Sequence, residues 1–578
     1  MTLNFSNTNA IWASVLAETL YRLGLTTAII CPGSRSTPLA IAFAQHPQIE
    51  AIPILDERSA AFFALGRARQ THLPVVLVCT SGTAGANFYP AVIEARESRV
   101  PLLVLTGDRP PEMRDCNAGQ TIDQQKLFGS YPNWYSELAV PSLDLLPYLR
   151  QVLLQSWERA LYPVAGAVHL NLPFRDPLAP KPQAQTQAFS DHFPTDFFEA
   201  IEITPSFPTP HSFSIPPEWL QSDRGILIAG VAQPHSSQNY CAAIAHLCKT
   251  LGLPVLAEAL SPLRNFADLN PYLISTYPLL LRDTELADKL ASGWVIRVGE
   301  MPTSKELRQW LAKTQPRQWV VDGGDRNLDP LHGKTTHLRL SVEQLAMMIP
   351  LAHQPNAYRS NAYRSLWCEA EQQLREAIDR TLSETTDWFE GKAAWLMSQH
   401  LPPATPLFIA NSMPIRDMEC FWKPSNLQIQ PFFNRGANGI DGTLSTALGV
   451  AHRQQNSSVL LTGDLALLHD TNGFLIRHKF VGHLTIVLIN NNGGGIFESL
   501  PIAQFDPPLE EFEEFFATPQ AIDFAKLCAT YNVEHEVMQS WQQFVQRLNP
   551  LPAQGVRVLE IRTDRKADAQ WRRGKMYR

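Results

Sequence analysis

The sequence predicts an α/β protein of three doubly wound, mostly parallel-sheet domains. Three observations carry this. Short β-branched apolar runs alternate with amphipathic, helix-like stretches along the chain. Most of these runs end in Gly, Ser, Pro or Asp turns, as parallel strands under crossover helices do. With 578 residues the chain is too long for one core, so about three to four domains are expected.

Taken in order, Asn7-Thr8 caps an amphipathic helix that runs to Leu23, with Gly24 as its stop. Thr26 to Cys31 is the first strand and ends in Pro32-Gly33-Ser34-Arg35-Ser36. Ile52 to Leu55 runs into Asp56-Glu57-Arg58, and the helix SAAFFALGRAR follows. Val75 to Cys79 is a strand ending in TSGTAGAN, and VPLLVLTGDRPPE is another that ends in a charged loop. Residues 177–217, rich in Pro, Ser and Gln, read as a linker wrapping the surface. A second α/β unit then places strands in RGILIAG, LPVLAEAL, SGWVIRVG and RQWVVDGGD, with a helix near 236–251. The tandem NAYRSNAYRS within 351–365 reads as a linker insertion, because a solenoid needs a longer period. PLFIAN, SVLLTGDLA, LTIVLINNNGGG and GVRVLEIRT repeat the alternation in the last third. The outer thirds also echo each other: LVCTSGTAGANFYP has the shape of VLLTGDLALLHDTN, and ALGRA that of ALGVA. Two related domains flanking a third are expected, with boundaries at 1–185, 186–355 (entered by the Pro-rich linker) and 356–578.

Composition excludes several classes. Apolar residues at 45% and charged residues at 18% are those of an ordinary globular chain. A net charge of -7 gives no reason to expect nucleic-acid binding. The eight cysteines are scattered, with no CxxC and no zinc spacing, so a cytoplasmic, reducing location is the simplest reading. Met1 to Ser6 carries no basic, apolar leader pattern, and no stretch approaches the roughly 20 apolar residues of a membrane span.

The chemistry concentrates in GDLALLHDTNGFLIRHKFVGHLTIVLINNNGGGIF, Gly463 to Phe497. Asp464 closes one apolar run and Asn491 follows another, at an interval that fits strand, helix, strand. Parallel strands deliver ligands at their carboxyl ends. A carboxylate, an amide oxygen and a backbone carbonyl are hard donors that suit Mg²⁺. Gly493-Gly494-Gly495 lets the backbone approach closely, and a helix starting near Asp470-Thr471-Asn472 would offer amide hydrogens to an anion. Either half alone is an ordinary turn. Together, between two apolar strands, they spell a metal-bridged diphosphate.

This GD…NN pattern resembles the thiamine diphosphate-binding motif, and the predicted fold is of the thiamine diphosphate enzyme type. The resemblance implies Mg²⁺, replaceable by Mn²⁺, on Asp464, Asn491 and the carbonyl of Gly493. It implies cofactor contacts from Gly463, Leu465, Ala466, Asn492, Ile496 and Ser412, with Ile440 as the bulky support that bends the cofactor. Glu57 in ILDERSAAFFALGRA matches the family's glutamate, which is contributed across a subunit interface, so a homodimer or homotetramer is implied. Its carboxyl favours the imino tautomer of the aminopyrimidine, which then takes the proton from the thiazolium carbon. Taken alone, Glu57 reads as a helix N-terminal acid stabilised by the macrodipole.

CPGSRSTPLA, LTGDRPPEMRDCNAGQTIDQ, ANSMPIRD and NRGANGIDGTLSTALGVA put Arg35, Arg109, Arg416 and Arg435 at strand ends or adjoining loops. A single arginine is most often a surface or ion-pair residue. Four around one crevice imply substrates bearing several carboxylates, which guanidinium forks match two-pronged. These segments resemble the 2-succinyl-5-enolpyruvyl-6-hydroxy-3-cyclohexene-1-carboxylate synthases of the menaquinone and phylloquinone pathway. That resemblance implies decarboxylation of 2-oxoglutarate and 1,4-addition of the succinyl carbanion to isochorismate. It implies that Ser34, Arg35, Arg109, Gln120, Ser412, Arg416 and Arg435 line the substrate pocket, with Ile496 and Phe497 as apolar walls at the reacting centre.

One position departs from the pattern. The family carries two adjacent basic residues where TSKELRQW has Lys305 followed by Glu306. The alternatives are another thiamine diphosphate carboligase or decarboxylase of 2-oxoacids, or a non-catalytic thiamine diphosphate-binding subunit. An acetohydroxyacid synthase would hold FAD in its middle domain. GILIAGVAQP lacks a GxGxxG fingerprint, so no FAD or other dinucleotide is expected there.

Overall fold

The computed structural model describes residues 3–199, 201, 214–349, 361–505 and 509–576. Three six-stranded sheets organise it, and every strand pair in them is parallel. By internal contacts the chain forms two compact units. One comprises Met1–Phe207, Asn434–Gln454 and His469–Gly482; the other comprises Pro208–Phe433, Gln455–Leu468 and His483–Arg578.

The first unit holds β1 (Thr27–Ile30), β2 (Glu50–Pro53), β3 (Val75–Cys79), β4 (Leu102–Asp108), β5 (Trp134–Glu137) and β6 (Ala167–Pro173), in the order β2-β1-β3-β4-β6-β5. The helix Thr8–Arg22 opens on Asn7, whose side chain accepts from the Ala10 amide, and stops before Gly24 at φ 111°, as its sequence predicts. Its Trp12 and Leu16 are buried with Phe43, Val76, Leu103 and Leu170 in the core. The helix Glu57–Thr71 follows β2, and Thr443–Ala451 packs along it within this unit.

The second unit holds two sheets. In the middle one, β7 (Gly225–Ala229), β8 (Val255–Ala257), β9 (Leu273–Ile274), β10 (Trp294–Val298), β11 (Arg317–Val321) and β12 (Lys334–Leu338) run β12-β11-β10-β7-β8-β9. In the last, β13 (Pro406–Ile409), β14 (Gln430–Phe433), β15 (Ser458–Gly463), β16 (His483–Asn490), β17 (Glu534–Val537) and β18 (Gly555–Arg562) run β14-β13-β15-β16-β18-β17. Counted from each sheet's first strand, the outer sheets share one order, 2-1-3-4-6-5, while the middle sheet is 3-2-1-4-5-6. The shared order agrees with the sequence echo between the outer thirds.

Two linker readings need correction. The second NAYRS copy is not a linker: Asn361 precedes the helix Ala362–Glu384, whose Tyr363 is buried and donates its hydroxyl to the Leu290 carbonyl at 2.8 Å. The first copy lies outside the described residues. Within 177–217, a short helix forms at Ala184–Ser190, and Phe197 joins the first core. Strands β5, β6, β9, β12, β14 and β17 fall outside the runs singled out in the sequence, and all but β6 lie at the edges of their sheets. Edge strands have one neighbour to match and one side open, so their sequences are freer.

Candidate active site

β15 and β16 are neighbours, with Gly463 opposite Ile489. Asp464 therefore begins a helix, Asp464–His469, at one strand end while Asn491 follows the adjacent one. The Asp464 carboxylate accepts from the amides of Leu465 and Gly493, each at 2.8 Å. Burial pushes this carboxyl up to about 6, against the pull of those two amides. Asn492 adopts φ 56° and Gly493 φ 135°. A side chain at Gly493 would collide with the Ala517 carbonyl, so only glycine fits. The Gly493 carbonyl accepts from the Gly495 amide at 3.0 Å and retains a second lone pair. A cleft of about 220 Å³ opens beside this loop, lined by Asp464, Asn490, Asn492 and Gln520 among others.

The Asn491 side chain supplies the test for a cation. Its amide nitrogen donates to Glu390 Oε2 at 3.1 Å. Its Oδ1 is buried and has no partner among the described residues. A buried amide oxygen left this way costs about 1–3 kcal/mol unless something binds it. Asp464, Asn491 Oδ1 and the Gly493 carbonyl are hard oxygen donors, of the kind Mg²⁺ and Mn²⁺ take. Among the described residues there is no group of three or more His, Cys, Asp or Glu placed for a metal.

Sequence reasoning missed the network behind Asn491. Glu390 opens the helix Glu390–His400, and its Oε1 accepts from Arg572 at 2.8 Å. Arg572 also pairs with Asp417, and Asp568 accepts from the Glu390 amide at 3.4 Å. These residues lie far apart in sequence, and no local motif marks them.

Ser412 and Arg416 sit at the start of the helix Met413–Phe421, after β13. Arg416 is thus helical, not in a loop, and its guanidinium donates to the Ser412 carbonyl at 2.6 Å. Ser412 holds φ 71°, an unusual backbone for a residue other than glycine. Ile496 and Phe497 are half-buried, with the Phe497 ring 5.8 Å from Phe516. Lys305 is exposed at the first position of the helix Lys305–Thr314, and Glu306 pairs with Arg282 at 2.9 Å.

In the first unit, Ser34 and Arg35 follow β1, Arg109 follows β4, and Gln120 stands at φ 56°. The Arg35 guanidinium donates to the Phe174 carbonyl at 2.8 Å. Arg109 donates to Ser81 and, at 3.0 Å, to the Gln120 carbonyl, while Gln120 Nε2 donates to the Ser81 carbonyl at 3.0 Å. Burial first, and the positive charge of Arg35 second, lower the Arg109 pKa. The carboxylates of Asp108 and Asp176 act in the opposite direction, and Asp176 pairs with Arg35 at 3.9 Å. Arg435 lies in the loop before Ile440, whose carbonyl accepts from Thr443 Oγ1 at 2.7 Å. Glu94, another residue without a sequence signal, accepts from the amides of Gly436 and Ala437 at 3.0 and 2.7 Å and so holds that loop.

Glu57 is the first, half-buried residue of its helix, and Asp56 caps it by accepting from the Ser59 amide at 3.1 Å. The turn beginning at Asp470 belongs to the first unit, and the Asp470 carboxylate accepts from Ser445 N and Oγ at 2.6 and 2.9 Å. Burial pushes this carboxyl up to about 6.

Comparison with known proteins adds independent findings. A family model described as "Thiamine pyrophosphate enzyme, N-terminal TPP binding domain" matches residues 12–127, and "Middle domain of thiamine pyrophosphate" matches 213–409. The chain is 65% identical to the 2-succinyl-5-enolpyruvyl-6-hydroxy-3-cyclohexene-1-carboxylate synthase of Nostoc sp., over 99% of this chain and 98% of that one. It is 61% identical to the synthase of the same name from Gloeothece citriformis, with the same coverage. In fold it is similar to a thiamin diphosphate-dependent enzyme isolated from Mycobacterium smegmatis (TM-score 0.68, 16% identity, 96% and 99% of the two chains). The benzoylformate decarboxylase of Polynucleobacter necessarius gives a TM-score of 0.66 at 16% identity, over 96% and 98% of the chains.

Proposed function

The chain belongs to the 2-succinyl-5-enolpyruvyl-6-hydroxy-3-cyclohexene-1-carboxylate synthase family, and on that premise we propose that it decarboxylates 2-oxoglutarate and adds the succinyl unit in a 1,4 sense to isochorismate. It is a transferase that uses thiamine diphosphate and serves the menaquinone or phylloquinone pathway. The observation that carries this reading is one chain, matched nearly end to end by such synthases, in which Asp464 accepts from the Gly493 amide and Asn491 Oδ1 is buried without a partner among the described residues.

Thiamine diphosphate, when bound, supplies the nucleophilic carbon and the electron sink for decarboxylation. Asp464, Asn491 and the Gly493 carbonyl would hold Mg²⁺ on the diphosphate, with Mn²⁺ as a substitute. Gly463, Leu465, Ala466 and Asn492 would lie along that anion, and Ile440 would support the rings. Glu57 would lend a proton to the aminopyrimidine ring and take it back. Arg35 and Arg109, with Ser34 and Gln120, orient carboxylates of the acceptor. Arg416, Arg435, Ser412 and Lys305 complete the substrate set. Ile496 and Phe497 keep water from the reacting carbon, so that carbon–carbon bond formation outruns protonation.

The working unit is a homo-oligomer in which Glu57 of one chain serves the Asp464 of another. No helix among the described residues is long and apolar enough to cross a membrane. Eight unpaired cysteines support a reducing compartment, so the cytoplasm is the proposed location. The test is turnover. Purified protein with Mg²⁺ and thiamine diphosphate should consume 2-oxoglutarate and isochorismate in equal amounts and release CO₂. Consumption of 2-oxoglutarate that ignores isochorismate would overturn the assignment.

A further inference from the structure

Asn491 can present either end of its amide to a cation, and only the oxygen binds one. Its neighbour decides which. The Glu390 carboxylate is buried and, when ionised, accepts hydrogen bonds only, so the nitrogen of Asn491 turns to it, at 3.1 Å, and Oδ1 faces away without a partner. Glu390 is in turn held by Arg572, buried against Phe389 and Phe421 with its guanidinium 4.9 and 5.8 Å from their ring centres. Arg572 lies on the helix Arg565–Met576. Two turns earlier on that helix, Arg565 donates to the Asn492 carbonyl at 3.0 Å and to Glu498 at 3.1 Å. One helix therefore grips two consecutive residues of the loop, one directly and one through Glu390.

We propose that Glu390 and Arg572 are positioning residues for the cation site: they fix the Asn491 amide with its oxygen toward the metal, and the helix Arg565–Met576 sets that geometry. The proposal rests on Asn491 being a metal ligand of a thiamine diphosphate site. Ligand-orienting groups of this kind typically change metal affinity by about 10- to 100-fold.

Mn²⁺ retention by the full-length protein with thiamine diphosphate, read by electron paramagnetic resonance, tests it. Glu390→Ala should weaken Mn²⁺ retention by about 10- to 100-fold, and Arg572→Met should act in the same direction. Asn491→Asp is the discriminating variant, because a carboxylate ligates with either oxygen and needs no orienting. Beside Glu390 it should weaken Mn²⁺ binding, through two facing carboxylates. In the Glu390→Ala background it should recover affinity. That reversal of sign is not expected from a merely structural effect. Should Glu390→Ala fail to fold, Glu390→Gln of the same shape should show the loss, since its amide no longer dictates which end of Asn491 faces it. Wild-type affinity in Glu390→Ala or Glu390→Gln, or no recovery in the double variant, overturns the positioning role. Failure of the unmodified protein to retain Mn²⁺ with thiamine diphosphate overturns the functional reading and this role together.

Discussion

Gly66 and Gly449 are reciprocal contact points of two helices. A Cβ on Gly66 would strike the Thr446 carbonyl and lie 2.9 Å from Val450 N, and one on Gly449 would strike the Phe63 carbonyl and lie 2.9 Å from Arg67 N. These are the central glycines of ALGRA and ALGVA, so the sequence echo marks a self-complementary contact within the first unit. Glu57 begins one of these helices. Gly66→Ala should push the helices apart and cost about 1–3 kcal/mol from overpacking. Alanine's better helix propensity offsets that by up to about 1 kcal/mol. A lower midpoint in urea unfolding is the expected result, and an unchanged or higher one would mean that the helices have room.

Asp464→Ala should remove metal-dependent retention of thiamine diphosphate, because the diphosphate loses the anionic ligand of its bridging cation. Isothermal calorimetry with Mg²⁺ measures this, and unchanged affinity would remove Asp464 from the site. Mn²⁺ should replace Mg²⁺ with the unmodified chain.

Glu57→Gln should bind cofactor yet lose about 10²- to 10⁴-fold in rate, the usual worth of a positioned acid–base group. Proton exchange at the thiazolium carbon, followed by NMR, should slow with it. Exchange at the unmodified rate refutes the role.

Mixing Glu57→Gln chains with Asp464→Ala chains should recover activity, since hybrid oligomers would contain one site with both residues intact. Subunit exchange without any recovered turnover would place both residues of each site on a single chain.

Arg35→Ala should raise the KM for isochorismate far more than that for 2-oxoglutarate. Loss of a buried fork that leaves a carboxylate unpaired costs about 2–5 kcal/mol, or more than about tenfold in affinity. Equal effects on both substrates, or an effect confined to 2-oxoglutarate, would assign Arg35 to the donor or to the cofactor's support.

What the sequence determined by itself was local. Apolar runs ending in turn residues gave three doubly wound sheets. The ends of β15 and β16 put Asp464 beside the Asn491 loop because adjacent parallel strands finish side by side. The glycine at 493 was legible as a tight backbone approach for the same reason. Tertiary structure alone decided what depends on partners distant in sequence. Glu390 meets Asn491 across 101 positions and Arg572 across 182, and Glu94 holds the Arg435 loop across 342, separations that no spacing rule spans. The same limit explains one misread segment. The second NAYRS copy is helical, and its Tyr363 reaches the Leu290 carbonyl. The segment's own residues left its state open, and burial against a remote neighbour accompanies the helix.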